Sequence, residues 1–308
     1  MNPVFVGRED HIKIIKDLHI SSMQYSRVLT IAGSDSGGGA GIQADIKAIS
    51  ATGSYAASAI TAVTVQNTLG VEAVHPVPVD IIAAQIRCVL SDIGADAIKI
   101  GMLHSAEVVL AVVAALKDAS KPAAATSDGV ASAAASPWLS NIVLDPVMVS
   151  TSGHRLIEDS AVEVLQRELL PMARVITPNV PEAEVLAGRS IKSGEDFPSV
   201  ARALSAGGRV SVLMKAGHLG GSDASDLFYN AEEDRISVFS HPRIDTPNTH
   251  GTGCTLSSAL ASYLAQGLPL DDAVGAAIDY ISGAIASGAA YSIGHGHGPV
   301  DHFYRTRK

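Results

Sequence analysis

The sequence predicts an α/β protein built on a mostly parallel sheet covered by helices on both sides. Three observations carry that prediction. Residues 142–144 and 212–214 are apolar at consecutive positions, as strands buried on both faces are. Such runs alternate along the chain with segments of helical periodicity, and glycines cluster where one passes into the other. The composition agrees: 308 residues, 47% hydrophobic and only 17% charged, with 28 Gly, can bury a large core.

The elements follow in order. Residues 1–26 precede the first core strand and form an N-terminal extension, with a helix expected around residues 11–18; the rest, residues 27–308, reads as the main domain. Strand 28–32 ends in Gly33 and a glycine-rich loop, Ser34 to Gly39, that leads into helix 40–51. Strand 97–100 precedes helix 106–116. Residues 118–136, rich in Ala and Ser, read as a low-complexity insertion with almost nothing that could pack. Strand 142–144 then leads to helix 161–170, strand 175–177 to helix 181–186, and strand 210–215 to a hairpin of strands 226–229 and 236–239. Two helices rich in small residues, 252–266 and 271–290, finish the pattern. The loops after Gly33, Gly101, Asp145, Thr177 and Lys215 all fall at strand C-terminal ends, where such sheets bind ligands.

A net charge of −9 and a pI near 5.6 argue against nucleic acid or an anionic membrane surface as partner. The two cysteines, Cys88 and Cys254, have no metal-ligand spacing and imply no disulfide framework. The first 26 residues carry too much charge for a secretory apolar segment, and no apolar run approaches the roughly 18 residues of a membrane span. A soluble protein of the reducing cytoplasm is the expectation.

The stretch Asn248-Thr249-His250-Gly251-Thr252-Gly253-Cys254 carries the most chemistry. It sets glycines and backbone amides at a predicted helix N-terminus, where free N–H groups and the helix dipole hold an anion. A thiol in that turn is expected to favour thiolate, so Cys254 would accept a proton near neutral pH while the amides hold phosphoryl charge. The plainer reading makes it a helix start with a small hydrophobe. No Gly-Lys dipeptide occurs, so a P-loop is excluded. The loop from Gly33 to Gly41 reads either as a close backbone approach to a small substrate or as a tight turn. Asp145, at a strand end, and Glu182, in the first turn of a helix, are carboxylates able to hold Mg²⁺; Glu182 reads equally as a favourable charge at a helix N-terminus. Lys215 closes a buried strand, a position that calls for an anion such as phosphate. His218, His295 and His297 read as loop histidines.

Seven stretches resemble the hydroxymethylpyrimidine/phosphomethylpyrimidine kinases of thiamine biosynthesis, within the ribokinase-like superfamily. They run from Leu29 to Asp35 with Gly38 to Asp45, then Gln66-Asn67-Thr68, Lys99 to Leu103, Asp145 to Met148, Thr177-Pro178-Asn179 with Glu182-Ala183, Met214 to His218, and Asn248 to Cys254, in family order. The resemblance implies a three-layer αβα fold, ATP and Mg²⁺, a pyrimidine substrate phosphorylated twice, and a homodimer. By position it implies that Cys254 takes the substrate's proton, that Gly251, Thr252 and Gly253 form an anion hole, and that Lys215 neutralises the transferring phosphate. Gln66 would recognise the aminopyrimidine, with Ala40, Asp45, Met102 and Val147 as pocket wall. Lys215, Asn179 and Thr249 would contact the nucleotide, and Asp145 and Glu182 the metal. A pyridoxine or pyridoxal kinase is the nearest alternative, since some enzymes of that activity are very similar to this family and also carry the cysteine, and Gln66 can turn its amide to suit either ring.

Overall fold

A computed structural model of the chain describes residues 24–121, 137–149, 153, 155–215 and 223–307. The N-terminal extension up to residue 23, most of the Ala/Ser insertion and His218 lie outside these residues.

The chain begins with β1 (Arg27–Asp35), whose residues are almost wholly buried, followed by α1 (Gly41–Ala51). Next come β2 (Tyr55–Gln66), β3 (Val71–Pro76) and α2 (Val79–Asp92). Hydrophobic periodicity does not reveal the two strands, whereas α2, with Val79, Ile82, Ile86 and Val89 at helical spacing, carries the signal of the helix expected around Cys88. β2 reads YAASAITAVTVQ, so its buried positions are Ala and Thr, while Val63 and Val65 in its second half are exposed. A strand of that composition carries little hydrophobic signal. β4 (Ala97–Ile100) leads to α3 (Ala106–Ala119), capped by the Ser105 side chain accepting from the Val108 amide. α3 therefore takes in the first residues of the expected insertion. β5 (Ile142–Leu144) precedes α4 (Asp159–Val164), which widens into a π-helical turn at Leu165–Leu169 and tightens to a 3₁₀ turn at Leu170–Met172, where Pro171 ends it. β6 (Val175–Ile176), α5 (Val180–Ala187), α6 (Phe197–Leu204) and β7 (Ser211–Met214) follow. The hairpin is longer than its apolar positions suggest, β8 (Asp223–Asn230) with β9 (Arg235–Pro242). The chain closes with α7 (Thr252–Ala265) and α8 (Leu270–Gly288).

All nine strands form one sheet in the order β3-β2-β1-β4-β5-β6-β7-β8-β9. The strands from β2 to β7 pair in parallel, and β3, β8 and β9 add antiparallel edges. Successive side chains on a strand point to opposite faces, and the core divides accordingly. Leu29, Ile98, Leu144, Ile176 and Val212 pack with α2 to α6, whereas Val28, Ala97, Val143, Val175 and Leu213 pack with α1, α7 and α8. The result is three layers, helix–sheet–helix. Because the central strands are parallel, the ends of β1, β4, β5, β6 and β7 open at one edge of the sheet.

Candidate active site

α7 starts at that edge. Gly251 is its N-cap with φ of +79°, a left-handed conformation that favours glycine. A Cβ there would also overlap the Gly39 carbonyl, so the loop before α7 lies flush against the glycine-rich loop after β1. The Thr255 amide donates to the Gly251 carbonyl at 2.9 Å, and the amides of Gly253 and Cys254 precede this bond in the first turn. Behind the loop, Asn248 Nδ2 donates to the carbonyls of Gly288 (2.8 Å) and Tyr291 (2.7 Å), and the His250 amide donates to Gly298 (3.0 Å). These bonds tie the anion-binding turn to the end of α8 and to the C-terminal segment beyond that helix.

Lys215, just past β7, brings its ammonium to this turn. A Cβ at Gly253 would lie 3.1 Å from Lys215 Nζ and 3.5 Å from Asp145 Oδ2. Lys215 Nζ is 3.0 Å from Asp145 Oδ1 and 3.9 Å from Glu182 Oε2. Thr177 donates to Asp145 Oδ1 (3.0 Å) and Ser257, on α7, to Oδ2 (3.3 Å). Burial pushes the Asp145 carboxyl up, but the ammoniums of Lys215 and Lys99 outweigh it and hold Asp145 below its usual range. Glu182 goes the other way: burial first, and the charge of Asp145 with it, push it up to about 7 against the pull of Lys215. Lys215 is raised despite its burial, because Asp145 and Glu182 stabilise its charge.

The two readings of Glu182 turn out to be compatible. Glu182 Oε2 accepts from the Asn179 amide (2.8 Å) while Asn179 Oδ1 accepts from the Glu182 amide (2.9 Å), a capping box at the start of α5. The cap fixes the carboxylate at the helix start, within reach of Lys215. It also occupies Asn179 Oδ1, which leaves the Nδ2 amide of Asn179 to donate to a ligand. Thr249 lies in the anion loop, its carbonyl accepting from the Thr252 amide at 3.3 Å.

Cys254 departs from the sequence-based expectation. Its thiol is pushed up to about 11, chiefly by burial, with Asp45 and Asp145 adding to the shift. Lys99 and a hydrogen bond from the Gly41 amide favour thiolate but do not prevail. Placement at a helix N-terminus favours the anion, but desolvation of the sulfur and the two carboxylates near it outweigh that effect. The resting group is the thiol.

Asp45 is a second correction. Its carboxylate is fully buried, so it does not line an open pocket. Oδ1 accepts from Lys99 Nζ (2.8 Å) and Ser258 Oγ (2.8 Å), and Oδ2 from Thr30 Oγ1 (2.6 Å). Thr30 and Lys99 point from β1 and β4 toward the α1–α7 face, and Ser258 lies one turn after Cys254. This knot therefore joins α1, two strands and α7 behind the thiol. Gly101 covers it, since a Cβ there would meet Lys99 Nζ at 2.7 Å. The sequence held the signal for Lys99: a lysine inside an apolar strand calls for a buried partner, as Lys215 does.

The other pocket residues collect at the opposite side of the loop. Gln66 ends β2, and the two ends of its carboxamide lie 3.2 Å from Thr64 Oγ1 and 3.3 Å from His250 Nε2. Ala40 is half-buried, its amide donating to Asp35 Oδ2 at 2.8 Å. Met102 lies over Gly33, where a Cβ would come within 2.7 Å of its methyl carbon, and Val147 is half-buried two residues after Asp145. Asp35 and His250, bonded to each other at 2.9 Å, were not singled out by sequence reasoning. His295 and His297 are loop residues, their amides donating to Thr68 Oγ1 (3.3 Å) and Thr68 O (2.9 Å). A cavity of about 560 Å³ lies around His104 and Arg155, and one of about 410 Å³ around Lys47 and His302 backs onto this loop, since Pro299 in its lining pairs with His250. The chemistry is better located by convergent charged groups than by empty volume.

Comparison with known proteins gives a consistent picture. A family model described as "Phosphomethylpyrimidine kinase" matches residues 35–136 and 122–301. A Rhizobium meliloti hydroxymethylpyrimidine/phosphomethylpyrimidine kinase is 46% identical, covering 91% of this chain and 98% of its own. Among solved structures, a Clostridium difficile phosphomethylpyrimidine kinase is 41% identical with a TM-score of 0.69, covering 83% of this chain and 98% of its own. An ADP complex of Bacillus subtilis pyridoxal kinase is 32% identical with a TM-score of 0.79, covering 92% and 100%.

Proposed function

The chain belongs to the phosphomethylpyrimidine kinase family, and from that premise we propose that it uses ATP to phosphorylate 4-amino-5-hydroxymethyl-2-methylpyrimidine and then the resulting monophosphate, in thiamine diphosphate biosynthesis. The observation that carries the reading is the single loop from His250 to Cys254. It joins a ring-recognising end, Gln66 with Ala40, Met102 and Val147, to a phosphate-handling end at Lys215. Identity favours pyrimidine over pyridoxal, at 41% and 46% for the two pyrimidine kinases against 32% for the pyridoxal kinase.

In the proposed reaction the hydroxymethyl oxygen bonds to the γ-phosphorus as the bond to the bridging oxygen of ADP breaks. The hydroxyl proton passes to the Cys254 sulfur in its thiolate form. That form is the minor one, but phosphoryl transfer through a loose transition state needs little proton removal before bond making, so positioning and charge come first. The amides of Gly251 and Gly253 receive the phosphoryl oxygens, that of Thr252 joins them as it leaves the Thr249 carbonyl, and Lys215 neutralises them. Asn179 Nδ2 and Thr249 complete the nucleotide contacts. Asp145 and Glu182 fit Mg²⁺: both are hard oxygen donors gathered at one cationic centre beside the phosphate-handling turn. Among the described residues no third acidic, His or Cys ligand joins them, so water and phosphate oxygens would fill the shell. When bound, the ion supplies charge neutralisation to the phosphates.

We assign the activity to residues 27–308 as one kinase unit, in a homodimeric, cytoplasmic enzyme. Among the described residues no helix is long and apolar enough to cross a membrane. The exposed Val63, Val65 and Leu69, on β2 and its turn to the edge strand β3, are apolar surface that a second copy would cover. The test is ADP release with the hydroxymethylpyrimidine, its monophosphate and pyridoxal at equal concentrations with Mg²⁺. Turnover of both pyrimidines above pyridoxal supports the reading; turnover of pyridoxal alone refutes it.

A further inference from the structure

Hydrogen-bond accounting around His250 fixes which way the Gln66 carboxamide faces. His250 Nε2 lies 2.9 Å from Asp35 Oδ2 and 3.3 Å from one end of that carboxamide. Asp35 also accepts the amides of Gly37 (2.8 Å), Gly39 (3.0 Å) and Ala40 (2.8 Å). Burial pushes its carboxyl up, but His250 and the amides outweigh burial and keep it ionised. An ionised carboxylate only accepts, so the imidazole nitrogen facing it carries a hydrogen. That one N–H, directed at Asp35, is at most shared with a carboxamide oxygen of Gln66 at 3.3 Å, whereas the carboxamide nitrogen there would set donor against donor. At the other end, Thr64 Oγ1 donates its one hydrogen to Ser34 O at 2.8 Å, so what it can still take from Gln66, 3.2 Å away, is a donor. The lone pairs of Thr64, and the clash of two N–H groups at His250, therefore select oxygen toward His250 and nitrogen toward Thr64, the reverse of the Oε1-to-Thr64 and Nε2-to-His250 placement in the structure. The imidazole is wedged as well. A Cβ at Gly39 would overlap its Cδ2, and the His250 backbone is tied to Gly298 at 3.0 Å.

We propose that the Asp35–His250 pair is a specificity device that locks the Gln66 carboxamide, so that the pocket reads a ring edge with an amine donor on the His250 side and a ring-nitrogen acceptor on the Thr64 side. An aminopyrimidine edge offers that adjacent pair. A ring with a phenolate oxygen, an acceptor, in place of the amine sets acceptor against acceptor at the locked amide oxygen, whereas a freely turning amide serves both. The inference rests on the proposed pyrimidine kinase activity and adds the residues that set its selectivity. His250 acts here as a positioning residue, through Gln66.

The test is a double-mutant cycle read by calorimetric Kd for the hydroxymethylpyrimidine and by KM and kcat for it and for pyridoxal. His250→Phe is expected to raise Kd and KM for the pyrimidine about tenfold, to keep kcat within about threefold, and to narrow the preference over pyridoxal about tenfold. His250→Gln, whose amide can donate in place of the imidazole, restores most of the loss. In a Gln66→Leu background, His250→Phe changes Kd by less than about twofold, because the lock has nothing left to hold. Independent, multiplying effects of the two substitutions overturn the proposal, as does a loss of kcat with Kd unchanged. Should the phenylalanine variant not fold, Thr64→Val probes the lock from its other end, and unchanged Kd and preference there overturn it. A parent enzyme that binds no pyrimidine overturns the substrate reading along with the lock.

Discussion

Replacing Lys99 with Met tests how the interior supports the site. Lys99 and Asp45 are both fully buried, with Nζ and Oδ1 2.8 Å apart. Breaking such a pair by removing one partner destabilises by about 3–5 kcal/mol, because an uncompensated charge stays behind. Thr30 and Ser258 continue to donate to Asp45, which places Lys99→Met near the lower end, about 3 kcal/mol. At about 2–4 °C per kcal/mol for a protein of this size or slightly smaller, Tm falls about 6–12 °C. Removing both charges, in Lys99→Met with Asp45→Asn, recovers part of the loss, since no lone charge remains. The variant also removes the nearest cation favouring Cys254 thiolate, so iodoacetamide alkylation of Cys254 at pH 8 slows in the folded variant. Stability is read by urea and thermal unfolding followed by circular dichroism. A single variant within about 1 kcal/mol of the parent, or single effects that simply add in the double, would refute the reasoning.

Other expectations come from the same geometry. Burial depresses His302, from 6.5 to about 4, while Thr255 Oγ1 lies 3.0 Å from its Nε2. A group whose folded pKa is depressed gives stability that is present above its unfolded value and lost as pH falls. Between pH 6.5 and 4.5 the parent therefore loses most of about 3 kcal/mol that His302→Gln does not, a difference measured by urea unfolding across that window. Equal pH dependence in both proteins contradicts it. Cys254→Ala is expected to lower kcat while leaving the Kd for the pyrimidine nearly intact; parental turnover would remove the thiol from proton transfer. Lys215→Met should lower kcat about 10²–10³-fold, with a smaller change in pyrimidine Kd, since it meets charge that develops on the phosphate. Steady-state kinetics alongside calorimetry separate these effects, and a Lys215 variant with parental kcat would refute its role.

Much of the fold was legible because the central strands are apolar at consecutive positions and end in recognisable loops. β1, β4, β5 and β7 and their helices could be read that way, and so could the placing of the site at the strand ends. β2 could not, since its buried positions are Ala and Thr and it is held by pairing with β1 and β3. Within the site, residues whose role stems from their position in the chain were visible: Gly251 at a helix start, Lys215 closing a strand, Glu182 in a capping turn. What depends on the third dimension was not. Asp45 looked like a pocket residue until Lys99, Thr30 and Ser258 enclosed it. Cys254 looked acidic until its burial and its carboxylate neighbours were counted. His250 is inconspicuous in sequence because its partners, Asp35 and Gln66, are 215 and 184 positions away.

The most direct test of the central claim is a ³¹P NMR time course on the purified chain with ATP, Mg²⁺ and the hydroxymethylpyrimidine in one vessel. The monophosphate resonance is predicted to rise first and then give way to the paired resonances of the diphosphate, as one site handles both steps. A course that stops at the monophosphate, or that leaves the pyrimidine untouched while pyridoxal is phosphorylated under the same conditions, would contradict the account.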